Sequence, residues 1–503
     1  MSKLNYQVVV ETEKGPVAVN GSLEFAQGPL NIVCEAPEGR LRCVKAETDT
    51  IIDPQDKIFV NGYQTWTHSP EFSPSDTQKL YGRKLPKFLI NKYHLESYGD
   101  LFFQDYPGTF GKFLGYSWAY IRSGEKFRLF ASLDERPGYT VFKFDVLKDQ
   151  LVIERDCRGV KCGGPFHAFD LFYAEGTEDE VFDAWFSAMG LKARTTEKLA
   201  GYCSWYNRYD KIDEKCILSD LEGAAKVLRP GDLFQIDDGW QHAVGDWLEV
   251  REDRFPKGLA PVVDKIHARG FKAGLWLAPF GAQFGSHLSE KHPDWLLKPG
   301  GKPWAAGINW GGFWALDIDN KEFAAYIEEV FDTVLNKWGF DFVKLDFLYA
   351  AAPYGTEDES RAGRMIRAME LLRRVCGDKL ILGCGVPLMP AFGLVDYCRI
   401  GCDVGPDWDD KFYMRWTHRE RVSTANSIDD TTFRRQINGR GFMNDPDVFF
   451  LRDENCRLTE KQKELLYTAN AKYGGILLIS DDMNNWDEKK TAEYNKVREM
   501  FGH

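Results

Sequence analysis

The first third of the chain consists of short segments in which apolar and polar residues alternate. Among them are YQVVVET, KIFVNGYQTW, EKFRLFASLDE and YTVFKFDVLKDQLVIERD. A period of two, rich in Val, Phe and Tyr and interrupted by turn residues, is typical of antiparallel β-strands. The pattern predicts an N-terminal β-sandwich (supersandwich) domain over residues 1–190, with a charged helical segment at 176–198 near its end.

The rest of the chain alternates eight short apolar segments with amphipathic helical stretches, the pattern of a parallel sheet. The predicted strands lie at 202–206, 232–237, 271–278, 340–346, 379–384, 396–402, 441–444 and 475–480. Eight βα units fit a (β/α)8 TIM barrel better than an open doubly wound sheet. We therefore expect a multidomain β plus α/β protein whose second domain, residues 191–503, is a barrel with a short C-terminal extension.

Composition narrows the class of protein. Apolar residues make up 44% of the chain and charged residues 28%, as in globular proteins. The formal net charge of −12 argues against a nucleic-acid partner. The eleven cysteines are scattered, so we expect reduced thiols. The N-terminus lacks the pattern of a secretory signal, and no run of about 18 apolar residues occurs, so we expect a cytoplasmic protein without a membrane partner.

Charged residues stand at the C-terminal ends of the predicted strands, where the active sites of (β/α)8 barrels gather. They are Asp237 and Asp238 at strand two, Lys344 and Asp346 at strand four, Arg399 and Asp403 at strand six, and Asp445 and Asp447 at strand seven. Charges in apolar strands are costly unless they have a partner or a function. For any single aspartate, an ion pair that closes the barrel mouth is an equally good interpretation.

The period of two along a strand places Lys344 and Asp346 on one face, and Arg399 and Asp403 on another shared face. Two carboxylates across a barrel mouth suggest the nucleophile and acid/base of a glycosidase. Lys344 would keep Asp346 ionised, as a nucleophile requires. Asp403 would need a raised pKa to act as an acid, and Arg399 opposes this unless it binds a ligand hydroxyl instead.

Other catalytic arrangements are weak in this sequence. The nine histidines form no HExxH motif, and His242, His267, His287 and His292 lack the spacing of metal ligands. We therefore predict no metal and no cofactor. GxSxG, GxGxxG and Walker A motifs are also absent from the sequence, which disfavours a serine hydrolase and a nucleotide-binding enzyme.

Taken in order, the motifs of this chain resemble glycoside hydrolase family 36, the melibiase-type α-galactosidases, in their compact prokaryotic form. The motifs are VNGYQTW at 60–66, WY at 205–206, DDGW at 237–240, KLDF at 344–347, CG at 384–385, RIGCD at 399–403 and NDPD at 444–447. Each motif alone is weak, whereas their order and barrel-like spacing are specific. The resemblance covers both expected domains, residues 55–482.

The resemblance implies a retaining, exo-acting α-galactosidase that works by double displacement, with Asp346 as nucleophile and Asp403 as acid/base. It implies that Asp237 and Asp238 bind the 4- and 6-hydroxyls of galactose and that Lys344 binds the 3- and 4-hydroxyls. The implied substrate-binding residues together are Trp66, Trp205, Tyr206, Asp237, Asp238, Trp276, Lys344, Phe347, Cys384, Gly385 and Arg399.

Departures from the family pattern leave alternatives open. Residues 383–387 read GCGVP where many larger members have CSGGG, near the 2-position that Cys384 and Arg399 are implied to border. An α-N-acetylgalactosaminidase is therefore an alternative. Others are an α-galactosyl transferase similar to raffinose and stachyose synthases and, least favoured, a non-catalytic carbohydrate-binding protein. In each case we expect a small carbohydrate as partner, and a homo-oligomer is compatible with the sequence.

Trp66 has two interpretations. The run 58–60 predicts a strand that ends at Asn61 and Gly62, a turn pair, so Trp66 is expected on a loop at the end of the sheet. A tryptophan there is either a hydrophobic plug between the domains or a wall of the sugar pocket. We favour the pocket wall.

Overall fold

The computed structural model describes residues 3–78, 86, 88, 98–100, 103–409 and 419–502. Within these residues, the N-terminal region forms one antiparallel sheet of eleven strands. The strands are β1 Lys3–Thr12, β2 Gly15–Glu24, β3 Gly28–Asp49, β4 Lys57–Val60, β5 Glu71–Phe72, β6 Lys112–Tyr116, β7 Trp118–Ser123, β8 Lys126–Ser132, β9 Tyr139–Asp145, β10 Gln150–Asp156 and β11 Lys161–Gly176. They are ordered β5-β4-β7-β8-β11-β3-β10-β9-β6, with β1 beside β3 and β2 beside β1.

Two long strands let this single sheet curl into a sandwich. β3 and β11 pair antiparallel over most of their length, and the register of the pair shifts at two places along β11. Such bulges bend a strand and increase its twist. Side chains from the facing layers therefore share one apolar core, which includes Val8, Ile32, Phe130, Phe144 and Leu171.

In the described part of the chain, nine strands form a parallel sheet, and a smaller three-stranded sheet lies between β14 and β18 in the chain. The parallel strands are β12 Leu199–Cys203, β13 Leu233–Ile236, β14 Lys272–Leu277, β18 Phe342–Leu345, β19 Leu380–Gly383, β20 Tyr397–Arg399, β21 Met443–Asp445, β22 Val448–Phe449 and β23 Ile476–Ile479. The three short strands are β15 Gly281–Gln283, β16 Ala305–Gly307 and β17 Phe313–Ala315.

The parallel sheet closes into a barrel at its seventh strand position, which β21 and β22 share. The two end strands of the sheet, β21 and β22, are separated in the chain only by Pro446 and Asp447. β21 pairs with β20, whereas β22 pairs with β23. The segment is interrupted because proline cannot donate a ladder hydrogen bond. Its two halves, β21 and β22, together occupy the seventh of eight strand positions and close the barrel. The predicted fold class, a β-sandwich followed by a (β/α)8 barrel, is confirmed.

Helices cover the outside of the barrel and link it to the sandwich. The α-helices are α1 Glu178–Met189, α2 Trp205–Arg208, α3 Glu214–Ala224, α4 Ala260–Ala268, α5 His287–Lys291, α6 Lys321–Asp332, α7 Arg361–Cys376, α8 Thr424–Phe433, α9 Glu460–Tyr473 and α10 Glu488–Phe501. Single 3-10 turns lie at 146–148, 299–301, 309–311, 348–351, 389–391, 435–437 and 483–485, and a π-helical turn at 333–337 extends α6. Among the described residues, none of the helices is long and apolar enough to span a bilayer.

Helix α1 contacts both regions. A capping box formed by Thr177 and Glu180 starts the helix. Its fully buried Trp185 donates Nε1–H to the carbonyl oxygen of Ser132, at 2.8 Å, on the sandwich side. The same ring packs on Phe392 of the barrel, with 6.0 Å between ring centroids. The division of the chain at residue 190 remains a prediction.

Two strand ends differ from the sequence prediction. The first barrel strand ends at Cys203, so Trp205 and Tyr206 lie on helix α2 rather than on the strand. Periodicity alone cannot distinguish the end of a short apolar strand from the start of a helix. β20 ends at Arg399, so Asp403 lies on the following loop, and strand alternation does not place it beside Arg399.

Candidate active site

A cavity of about 370 Å³ opens at the C-terminal ends of the barrel strands. The residues that line it are Trp66, Tyr98, Trp205, Asp237, Asp238, Trp276, Ile308, Asn309, Trp310, Lys344, Asp346, Phe347, Asp403, Glu420 and Val422. Its volume is at the lower end of the range for small-molecule sites, which is roughly 300–1,000 Å³. Carboxylates among aromatic rings can accept hydrogen bonds from sugar hydroxyls while the rings cover apolar C–H faces.

Asp346 is the first residue after β18, and its carboxylate is held by donors on both oxygens. Phe347 adopts a left-handed backbone conformation, φ 53°, and its N–H donates to Asp346 Oδ1 at 2.9 Å. Trp276 Nε1–H donates to Asp346 Oδ2 at 3.1 Å. The site therefore presents this carboxylate in a fixed orientation at the floor of the cavity.

Lys344 lies between two of the acidic groups. Its Nζ is 3.0 Å from Asp237 Oδ2 and 3.9 Å from Asp346 Oδ2. Burial alone would lower the pKa of Lys344, but the charges of Asp237 and Asp346 outweigh burial and raise that pKa well above its usual value. A permanently charged ammonium thus holds the two carboxylates at a common point of the cavity.

Asp237 and Asp238 are both buried, yet each has donors already in place. Asp237 Oδ2 accepts from Gln235 Nε2 at 2.7 Å. Asp238 Oδ1 accepts from Gln241 Nε2 at 2.6 Å, and its Oδ2 accepts from Trp310 Nε1 at 2.7 Å. Burial raises the pKa of Asp238 to about 6. Because a carboxylate has about four acceptor positions, both aspartates retain acceptor positions for ligand hydroxyls.

Asp403 differs from the other carboxylates in its exposure. Its side chain is 38% exposed, whereas that of its partner Arg399 is 3% exposed. Arg399 Nη1 donates to Asp403 Oδ1 at 2.7 Å. Despite this exposure, its position within the cavity desolvates the carboxyl group and raises the pKa of Asp403 against the opposing charges of Arg399 and Lys344, and the nearby Asp346 raises that pKa further. A raised pKa suits a carboxyl group that must hold a proton for a leaving group.

Arg399 is engaged by three carboxylates rather than directed into the cavity. Besides Asp403, it donates Nε–H to Asp445 Oδ2 at 3.0 Å and Nη2–H to Asp447 Oδ1 at 2.9 Å. Asp447 Oδ2 also accepts from the Tyr206 hydroxyl at 2.6 Å. Burial raises the pKa of Asp447 to about 7. Arg399 and Tyr206 therefore form a buried network that holds Asp403 from behind.

The sandwich contributes Trp66 to the cavity. Trp66 lies on the loop after β4 and is 7% exposed. Its ring packs edge-on against Phe347, at a centroid distance of 5.1 Å, and its Nε1–H donates to Cys384 Sγ at 3.3 Å. Gly385 has φ +61°, and a Cβ there would approach the backbone of Phe347 and the ring of Trp66 to 3.0 Å. Cys384 and Gly385 thus seat Trp66 and lie behind the cavity wall.

The loop that carries Trp66 is fixed by a buried cation. Arg434, at the end of α8, donates to the carbonyl oxygens of Thr65 and Ile400 at 2.7 and 2.8 Å. It also donates to Asn61 Oδ1 and Ser69 Oγ at 2.9 and 2.8 Å. The side chain is fully buried. Arg434 therefore ties both ends of the Trp66 loop to the barrel.

Nine of the thirteen residues singled out in the sequence line the cavity. Of the other four, Cys384, Gly385 and Arg399 contact lining residues from behind, and Tyr206 donates to Asp447, which binds Arg399. Trp310, Tyr98 and Glu420 also line the cavity and were not predicted from the sequence. Trp310 lies on a loop between β16 and β17 with φ 56°, and only its unusual run of aromatic and glycine residues, NWGGFW at 309–314, could have drawn attention to it.

Comparison with known proteins agrees with this architecture. The Melibiase family model matches residues 202–368. An α-galactosidase of Escherichia coli is 30% identical over 312 residues, 59% of this chain and 40% of that protein. The alignments with three curated relatives cover 20 to 40% of the length of those proteins.

Among solved structures, the α-galactosidase TtGalA of Thermus thermophilus in complex with p-nitrophenyl α-D-galactopyranoside superimposes with a TM-score of 0.76 at 28% identity. The alignment covers 98% of this chain and 94% of that one. The family 36 α-galactosidase AgaA of Geobacillus stearothermophilus shares the fold, with a TM-score of 0.61 at 13% identity, over 99% of this chain and 75% of that one. The resemblance of the chain to glycoside hydrolase family 36 is confirmed.

Proposed function

We propose that this protein is an exo-acting glycoside hydrolase that releases terminal α-linked galactose from small α-galactosides by a retaining double displacement. The observation that carries the proposal is the convergence of Asp346, Asp403 and the pair Asp237 and Asp238 on one cavity. TtGalA, which has the same fold, is an α-galactosidase solved in complexes with an aryl galactoside and with stachyose. The small cavity volume favours a single terminal sugar over an internal position in a long chain.

In the first step of the proposed mechanism, a carboxylate oxygen of Asp346 attacks the anomeric carbon. The bond from that carbon to the glycosidic oxygen breaks, and the proton of Asp403 moves to the departing oxygen. The aglycone leaves as an alcohol and the galactosyl group is bonded to Asp346. Donors on both oxygens of Asp346 orient it for this attack.

In the second step, the ionised Asp403 removes a proton from water, and the water oxygen attacks the anomeric carbon. The bond to Asp346 breaks, its carboxylate is restored, and Asp403 is protonated again. Two inversions give net retention. The network behind Asp403 supports this exchange, because Arg399 stabilises the carboxylate form while burial favours the acid form.

Recognition of galactose is assigned to the buried acceptors. Asp237, Asp238 and Lys344 face the same cavity and can receive or donate hydrogen bonds at the 3-, 4- and 6-hydroxyls. A ligand with the 4-hydroxyl inverted would leave a buried acceptor unpaired, at a cost of about 1–3 kcal/mol. The role of Arg399 at the 2-position is not part of this proposal, since three of its donors bind carboxylates.

The test is chromophore release from p-nitrophenyl α-galactoside and from the matching α-glucoside, each with and without a sugar acceptor. We expect free galactose as the main product and cleavage of the glucoside that is slower by roughly fivefold to 160-fold, as about 1–3 kcal/mol of lost binding implies. Asp346→Asn serves as the inactive control. Equal cleavage of both substrates would refute the galactose assignment, and product formed only with acceptor would indicate a transferase.

A further inference from the structure

Outside the cavity, four side chains from one loop and the start of one helix bring metal-binding atoms together. His242, Asp246 and Glu249 lie on the loop after β13, and His287 is the first residue of α5. One donor atom from each of the four residues lies within 4.8 Å of the other three. Neither histidine was predicted from the sequence as a metal ligand, because their spacing along the chain fits no metal motif. In the folded chain the two histidines are in contact although they are 45 positions apart in sequence.

The cluster is built from two histidine–carboxylate pairs. His242 Nδ1 lies 2.9 Å from Asp246 Oδ2, and His287 Nδ1 lies 2.8 Å from Glu249 Oε2. The two imidazole rings stack, with 4.2 Å between centroids and 19° between planes. Lys291 approaches the other oxygen of Glu249, at 3.8 Å, and leaves Oε2 to the cluster.

The backbone holds these residues in place independently of any ion. The His242 N–H donates to the Glu249 carbonyl oxygen at 2.8 Å, which pairs the two ends of the loop. Asp246 is 1% exposed, and it accepts from the N–H groups of His287 and Leu288 at 3.1 and 2.8 Å. Asp246 therefore ties the loop to the start of α5. A binding site needs this kind of support from the groups behind its ligands.

We propose that His242, Asp246, Glu249 and His287 bind one divalent transition-metal ion of the zinc class. Two imidazole nitrogens and two carboxylate oxygens are a donor set that such ions take, whereas Ca²⁺ and Mg²⁺ prefer six or more oxygens. The ion would bind Nδ1 of each neutral imidazole, whose single proton then lies on Nε2. Two carboxylates then balance the charge of the ion.

Binding requires the ligands to move closer together. Zinc bonds of about 2.0–2.1 Å place tetrahedral ligands about 3.3 Å apart, so the widest separation of 4.8 Å must contract. His242, Glu249 and His287 have 44–47% exposed side chains that can rotate toward the fixed Asp246. The bound ion would cross-link α5 to the loop that carries Gln241, the donor to Asp238.

The test is binding of ZnCl₂ by calorimetry on the full chain, with the melting temperature as a second readout. The variants are His287→Asn and Glu249→Gln. His267→Asn is the matched control, because His267 forms a similar surface pair with Asp341, at 2.7 Å, away from the cluster. We expect one equivalent of zinc and a rise in melting temperature for the wild type and the control. Both variants should bind at least about tenfold more weakly and show no rise.

Cobalt identifies the ligands of the bound ion. With Co²⁺ in place of zinc, we expect visible absorption bands of a four-coordinate site that disappear in His287→Asn. The absence of stoichiometric binding by the wild type would overturn the proposal, as would unchanged affinity in both variants. A thiolate-to-cobalt charge-transfer band would also overturn it, because the ion would then be bound by some of the eleven free cysteines.

Discussion

Replacing Trp66 by alanine should reduce both stability and substrate affinity. The ring is only 7% exposed and is buried between the two domains, yet it also lines the cavity. The two interpretations of Trp66 drawn from the sequence, a plug between the domains and a wall of the pocket, are therefore compatible with each other. Removing a buried tryptophan costs about 3–5 kcal/mol of stability through lost contacts and the cavity left behind.

The loss of affinity follows from the area that the indole covers on a bound sugar. About 40–80 Å² of apolar C–H surface at about 25 cal/mol per Å² amounts to about 1–2 kcal/mol. This corresponds to a rise in KM of roughly fivefold to thirtyfold. The effect on kcat should be smaller, because Trp66 packs on Phe347, whereas the donors to the Asp346 carboxylate are the Phe347 N–H and Trp276.

Trp118→Ala is the matched control for this variant. Trp118 is fully buried between the domains, packs on Trp185 and Phe392, and does not line the cavity. It should lose similar stability with KM unchanged. Steady-state kinetics with p-nitrophenyl α-galactoside and thermal unfolding would be measured on both variants. A Trp66→Ala protein with wild-type KM, or an equal rise in KM for both, would refute the pocket-wall role.

Three further predictions follow from the same site. Because burial raises the pKa of Asp238 to about 6, the group gains a proton and loses acceptor capacity as the pH falls below about 6, so KM should rise there; a KM that is flat from pH 7 to pH 5 would contradict this. Gly385→Ala should lower kcat/KM and cost about 1–2 kcal/mol of stability from its left-handed backbone, whereas Gly190→Ala, at a left-handed glycine with φ +65° and open space around it, should show the stability loss alone. In Arg434→Lys, the ammonium group can donate three hydrogen bonds, which leaves at least one of four buried acceptors unpaired. Calorimetric unfolding should therefore show a loss of about 1–3 kcal/mol of stability, and an unchanged melting temperature would argue against the role of Arg434 as an anchor.

The sequence predicted the framework of the site because that framework depends on local pattern. Strands such as 342–345 and 476–479 are short and mainly apolar, and charged residues such as Lys344 and Asp346 stand at the C-terminal ends of the barrel strands. A barrel brings these ends together whatever its loops do. Asp237, Lys344 and Asp346 were therefore accessible from periodicity and position alone.

The remaining parts of the site depend on loops whose paths no period describes. Trp310 reaches Asp238 from an insertion between β14 and β18, and Tyr98 reaches Asn309 from the N-terminal region. Asp403 was placed correctly at the mouth, but the alternation used to place it does not apply beyond Arg399. The sequence suggested that Arg399 binds a ligand hydroxyl. Its three carboxylate partners could not be recognised there, because they come from two separate segments of the chain.

The same limit applies to the histidine cluster. His242 and His287 are far apart in sequence, on a loop and at the start of α5, so a test based on local ligand spacing could not join them. Their pairing depends on Asp246, which binds the backbone at the start of α5. A side-chain cluster assembled from a loop and a helix that are distant in sequence is visible only after the chain has folded.

The central claim is that Asp346 forms a covalent bond to the sugar. Incubation with a slow-turnover fluoro-galactoside, followed by proteolysis and mass spectrometry, tests it directly. We predict a single peptide heavier by one fluorogalactosyl group, with the modification on Asp346, and no labelling of the Asp346→Asn variant. Labelling of Asp403 or of another carboxylate, or turnover of the wild type without any trapped sugar, would contradict the proposed mechanism.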